Sequence, residues 1–228
     1  KSGKYRIVTD YLTDPSRNTV LMHVTFVPQD PSYKLYVRFD ATVNGNGGGG
    51  QGNGGGDSAT VDSSTGHPVL VSYDTNTATN AANRDYAQPV FAALDGQLAD
   101  GSSGLVGSAD DSIGSTKTDV TDGNVVQHAR VVVGSGGTTT LALGFGASQS
   151  EAVGAAEGSL AAKFDKTLKN YDKGWEKYDD SLNKPPKKLS GLGKTTVNQL
   201  ADEYYLSANV LKASEDKTFP GAIVASLA

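Results

Sequence analysis

Apolar and polar residues alternate with a period of two over much of the first forty positions. Tyr5, Ile7 and Thr9 alternate with Arg6, Val8 and Asp10. Leu21, His23, Thr25 and Val27 oppose Met22, Val24 and Phe26, and Leu35, Val37 and Phe39 oppose Tyr36 and Arg38. Turn residues at Asp14-Pro15, Asp30-Pro31 and Asn44-Gly45 punctuate the runs. The alternation predicts antiparallel strands with one face buried and Arg38 facing outward. Strands are predicted again over 69–73, around Phe91 and Leu94, over Val125–Val133 and over Thr138–Phe145. Gly134-Ser135-Gly136-Gly137 predicts a hairpin between the last two. So many short strands predict an antiparallel β-sandwich over residues 1–149.

The period changes after Ser150. As far as Leu182 the chain contains no proline, and Leu160, Phe164, Leu168, Tyr171, Trp175 and Tyr178 form a stripe at helical spacing. Ser150 is the expected N-cap and Glu151 suits the first turn. Gly154, Gly158 and Gly174 each weaken this helix by about 1 kcal/mol relative to alanine. Pro185-Pro186 ends it, so 150–194 is predicted as a linking helix with a short basic hinge at 184–194. A second helix follows over Thr196–Lys212, with Val197, Leu200, Ala201, Tyr204, Tyr205, Ala208 and Leu211 on one broad face. After it come a charged turn, Phe219-Pro220 and an apolar run from Ala222 to Ala228. A face that wide must pack on something, and only an extended segment remains. Residues 195–228 are therefore expected to open a second, truncated domain.

The net charge of −5 and a pI near 5.1 leave no basic stripe with which to neutralise phosphates, which argues against a nucleic-acid partner. The absence of cysteine removes disulfides, thiol catalysis and thiolate metal sites together. No apolar run approaches the roughly 20 residues of a membrane span. The chain begins at Lys1 without a signal peptide, so the coding sequence is expected to start upstream. The tract at 44–56 is almost wholly glycine and asparagine; it lacks the Gly-Lys-Ser/Thr ending of a phosphate loop and is expected to be a flexible surface loop.

Candidate chemistry is sparse. His23, His67 and His128 lie far apart and show no HxH or HExxH spacing, so packed or surface roles are expected. Asp110-Asp111, Asp119/Asp122 and Asp179-Asp180 are expected to form turns, since no calcium loop with alternating oxygen ligands and a closing glutamate is present. There is no GxSxG elbow for a serine nucleophile. Trp175, the single tryptophan, falls on the helical stripe and is expected to pack there rather than stack on a sugar.

Residues 207–226, SANVLKASEDKTFPGAIVAS, resemble the opening of the catalytic domain in the bacterial glucoamylase/glucodextranase family. In that family a first barrel helix leads to a lysine-rich turn, a Phe/Tyr-Pro-Gly-Ala step and a small-residue strand. Residues 9–44, 102–111 and 138–146 resemble parts of the β-sandwich that precedes the barrel, and the Gly-rich tract is the main departure. The resemblance implies a sandwich incomplete at its N-terminus over 1–149, and the first helix of an (α/α)6 barrel from 195. It also implies an inverting exo-α-glucosidase that uses two glutamates lying beyond Ala228. Inverting enzymes hold these carboxyl groups about 6.5–9.5 Å apart so that water fits between them. Glu203, Glu215 and Asp216 align with neither catalytic position. No catalytic residue is expected here, and Glu215 and Asp216 are candidates only for the rim of the pocket. The implied partners are an α-glucan, through the barrel, and the remaining polypeptide of the same enzyme. No cofactor is implied, although a structural calcium ion bridging sandwich and barrel stays open. The acidic, Gly/Thr/Asn/Asp-rich composition suits a secreted polysaccharide hydrolase. The alternative is a stand-alone carbohydrate-binding or cell-surface sandwich module.

Overall fold

The computed structural model describes residues 3–43, 56–75, 88–216 and 219–223. The Gly-rich tract, apart from Gly56, lies outside the described residues, as does the end of the final apolar run. Ten strands and three helices are described. The strands are β1 (Tyr5–Thr13), β2 (Thr19–Pro28), β3 (Leu35–Phe39), β4 (Asp57–Asp62), β5 (Val69–Asp74), β6 (Val90–Asp95), β7 (Leu98–Leu105), β8 (Asp119–Gly123), β9 (Val125–Val131) and β10 (Thr138–Gly146). The helices are α1 (Gln149–Ala162), α2 (Phe164–Ser181) and α3 (Lys194–Ala213). The chain divides into two compact units, Lys1–Tyr171 and Asp172–Ala228.

The first unit is the antiparallel sandwich that the alternation predicts. A seven-stranded sheet in the order β1-β2-β10-β6-β5-β4-β8 faces a three-stranded sheet in the order β3-β9-β7. Leu70, Leu94 and Leu141 of the large sheet meet Leu98, Ala129 and Val131 of the small one. Three strands cannot cover seven. On the edge strand β1, Tyr5, Ile7, Val8 and Tyr11 consequently stay exposed and only Leu12 is buried, so the expected buried face is missing there.

The glycine turn at 134–137 does not make the predicted hairpin. It carries the chain from β9 in the small sheet to β10 in the large one. Gly134 N–H donates to Thr138 O at 3.0 Å, and Gly137 turns the chain at φ 75°. Local turn chemistry is the same for a hairpin and for a sheet-to-sheet crossing, so sequence could not separate them. The Asp119/Asp122 segment, expected as a turn, is strand β8, and Asp179-Asp180 lies inside α2.

The helical region is broken where one helix was predicted. Lys163 adopts φ 67°, ψ 136°, a conformation unfavourable for a side chain with a Cβ, and its N–H closes α1 on Leu160 O. Ser148, not Ser150, is the N-cap, accepting from Glu151 N–H. Glu151 in turn accepts from Ala147 N–H at 2.9 Å, so two otherwise unpaired donors at this helix start are satisfied. α1 lies against the outer face of the large sheet through Ala152, Val153 and Ala156. Only small residues permit this approach. A Cβ on Gly144 of β10 would stand 2.2 Å from Ala152 O. The break then turns Phe164 onto His23, with ring centroids 5.0 Å apart.

In the second unit, Tyr178 Oη donates to Ala208 O at 3.1 Å, and Lys212 Nζ lies 5.7 Å from the centre of the Tyr178 ring. Val197 is buried, but Leu200, Tyr204, Leu206, Val210 and Leu211 of α3 are exposed. No helix among the described residues is long and apolar enough to cross a membrane.

Candidate functional site

The three histidines stay apart, and two of them each meet an aspartate. His67, in the loop between β4 and β5, places Nε2 2.6 Å from Asp95 Oδ1, which also accepts from Gly96 N–H. Asp95 is 1% exposed, so this pair fastens the loop to the end of β6. The neighbouring Thr65 hydroxyl donates to His67 O at 3.0 Å, which commits its proton to the turn and leaves no nucleophile.

His128 has a more suggestive setting. Its Nε2 lies 3.5 Å from Asp111 Oδ1, and Ser102 stands directly opposite it in the β7–β9 pairing. Asp111 is held below the usual carboxylate range by the Gly107 N–H first and by Arg38 second. The chemical order matches a serine hydrolase relay, but access fails. Ser102 is 1% and His128 7% exposed, and neither Ser102 Oγ nor His128 Nδ1 has a protein partner. The 106–118 segment lies so close to β7 that a Cβ on Gly104 would stand 2.6 Å from the Asp110 backbone. A nucleophile must meet its substrate, and this one is sealed.

The carboxylates predicted near a pocket rim have local work. Glu215 Oε1 accepts from Gly221 N–H at 2.7 Å, and its second oxygen pairs with Lys212. Asp216 Oδ1 accepts from Phe219 N–H at 2.8 Å, and Asp216 N–H donates to Ala222 O. Together with the Glu215–Ile223 bridge, these bonds close the turn after α3. Glu203 is exposed on the helix. Trp175 meets Tyr178 edge-on with ring centroids 6.1 Å apart.

A cavity of about 970 Å³ in the second unit is lined by Lys184, Lys187, Lys188, Lys194, Val197 and Tyr205 among others, with neither Asp nor Glu in its wall. It therefore lacks the two carboxyl groups that glycoside hydrolysis requires. Among the described residues, no three of His, Asp and Glu gather where a metal ion would bind.

Sequence reasoning missed two interior carboxylates, Asp57 and Asp74, which are 2% and 6% exposed. Asp57 begins a short strand that carries little alternation, and nothing in DSATVD distinguishes it from a turn residue.

The architecture is a ten-stranded antiparallel β-sandwich followed by three helices among the described residues. The sequence profile of the family described as "Glucodextranase, domain N" matches residues 1–180, and the chain belongs to that family. It is 28% identical over 234 residues to a glucoamylase of Clostridium sp. (strain G0005), covering all of this chain and 30% of that protein. A crystal structure of a bacterial glucoamylase complexed with acarbose superposes with a TM-score of 0.72 and 27% identity, over 99% of this chain and 31% of that one. The chain thus spans about a third of the length of the relatives it matches.

Proposed function

We propose that this chain is the non-catalytic N-terminal portion of a secreted glycoside hydrolase that releases glucose from the non-reducing ends of α-glucans with inversion. The observation that carries this reading is the uncovered face of α3. Leu200, Tyr204 and Leu211 are 43%, 37% and 57% exposed on a helix whose sequence resembles the first helix of a catalytic barrel. An apolar face of this extent calls for packing partners. Residues of the same enzyme beyond Ala228 supply them in this reading. The family assignment and the one-third coverage of glucoamylases support it. The sandwich then supports the barrel, and both carboxyl groups that act on the glucan come from the barrel. Reading the coding sequence past Ala228 and assaying the complete product on maltose, isomaltose and dextran tests the proposal. Release of β-glucose by the complete product, and none by the 228-residue chain, is expected. A stop codon at Ala228 would favour the stand-alone binding module instead.

A further inference from the structure

Strand β1 ends the large sheet and is hydrogen-bonded to β2 alone. The parity of that pairing decides which of its backbone groups are left over. Gln29 N–H donates to Lys4 O, so Gln29 turns toward β1, whereas Phe26 N–H donates to Gly137 O and turns toward β10. Backbone groups alternate sides along a strand, so Arg6, Val8, Asp10 and Leu12 bond to β2. The N–H and C=O groups of Tyr5, Ile7, Thr9 and Tyr11 therefore point away from the sheet along its outer edge.

This edge lacks the usual protection. Its register with β2 runs unbroken over Tyr5–Thr13, and the strand YRIVTDYLT contains neither proline nor lysine. Val8 on one face, and Ile7 and Tyr11 on the other, are exposed. Arg6 and Asp10 flank Val8 on its face, both exposed, and neither charge has a partner among the described residues. A bare edge of this length is a template for another strand. Its own sequence is complementary to it. In an antiparallel pair of two β1 strands about a twofold axis at Val8, Arg6 of each copy faces Asp10 of the other. Tyr5 then faces Tyr11 and Ile7 faces Thr9, so the outward backbone groups meet as hydrogen-bonded pairs. With the axis at Ile7 or at Thr9, Arg6 would face Val8 or Leu12 and the charge match is lost.

We propose that two copies of this chain join edge to edge through β1, antiparallel and in the register centred on Val8, so that their large sheets become one. The interface is independent of what the complete enzyme hydrolyses and of what covers α3.

The 228-residue chain at about 0.1 mM is expected to sediment as a dimer. Asp10→Arg, which sets arginine against arginine twice across the axis, is expected to weaken the dimer at least about tenfold. Adding Arg6→Asp to it is expected to restore the affinity. The chain has no cysteine, so a single introduced one reports only on its own copy across the axis. Val8→Cys is expected to give a disulfide-linked dimer on mild oxidation, because facing residues of a non-hydrogen-bonded pair have Cα atoms about 4.5 Å apart. Thr9→Cys, which faces Ile7 in this register, is expected not to link. A monomer in sedimentation would overturn the proposal, as would a dimer that Asp10→Arg leaves unchanged, which would place the association elsewhere, α3 included. Linkage through Thr9→Cys but not Val8→Cys would overturn the register. A complete enzyme that stays monomeric, with Val8→Cys unlinked, would overturn a second copy as the occupant and assign the edge to other polypeptide of that enzyme.

Discussion

Ser159 of α1 donates its hydroxyl to Asp14 Oδ2 at 2.7 Å, joining the helix to the β1–β2 turn across 145 positions of sequence. Asp14 is 2% exposed, and it also accepts from Ser16 N–H and from Arg17. Burial pushes its pKa up, but the bonds from Ser159, Ser16 and Arg17 outweigh that and hold it below the usual value. The folded pKa is therefore below the unfolded one. The resulting stability is present above about pH 4 and is lost as pH falls through the folded value.

Ser159→Ala should cost about 1.5–3 kcal/mol at neutral pH, as expected for a hydrogen bond to a charged group. The gap from wild type should narrow as pH drops below about 4, because protonation removes the charge that the hydroxyl serves. Urea unfolding at pH 7 and pH 3 measures both. An equal gap at the two values would show that Ser159 acts through packing alone.

Gly144 and Gly154 should respond oppositely to alanine. At Gly144 the new Cβ would meet Ala152 O at 2.2 Å and Ala156 N at 2.7 Å, both backbone atoms of α1. That contact forces helix and sheet apart and should cost more than about 3 kcal/mol or prevent folding. At Gly154 a Cβ meets nothing within 4 Å, and helix propensity predicts a gain of about 1 kcal/mol. Thermal melts of the two variants test the contrast.

Gln127 bridges the sheets from the middle of the core. It is fully buried, accepts from Ser72 Oγ, and donates to Thr60 O and to Ser103 Oγ. Gln127→Leu would strand these partners in the interior and should destabilise by about 2–4 kcal/mol. Near-neutral stability in urea titrations would show that the partners re-pair.

Asp57 should give the opposite pH signature to Asp14. Burial first and Asp74 in addition push its pKa up to about 6, above the usual 3.8, while the Val43 N–H opposes them. The folded state then binds more protons, so stability falls as pH rises from about 4 to about 6. Asp57→Asn should remove that slope and, at pH 7, add about 2–3 kcal/mol. A wild type and variant with parallel pH profiles would contradict this setting for Asp57.

The strands with clear alternation were legible, because one face packing on a core imposes a period of two. β2, β3, β5, β9 and β10 all fall where the pattern put them. What the pattern did not carry was contact with distant parts of the chain. Lys163 breaks the helix without glycine or proline to announce it, and the residue after it, Phe164, packs on His23, 141 positions away in sequence. The exposure of β1 follows from the width of the opposite sheet, which no local residue encodes. Asp57 and Asp74 are separated by 16 intervening residues and meet only once β4 and β5 pair. Glu215 and Asp216 were found from sequence as a turn, and the structure gives each a hydrogen bond within it.

Hydrogen exchange at Leu206–Leu211 tests most directly the proposal that α3 packs against further polypeptide of a larger enzyme. In the 228-residue chain, with Leu206, Val210 and Leu211 at 65%, 58% and 57% exposure, these amides should exchange nearly as fast as a frayed helix. In the complete enzyme they should be protected by orders of magnitude. Strong protection in a monomer of 228 residues would contradict the account and identify α3 as part of a self-contained module.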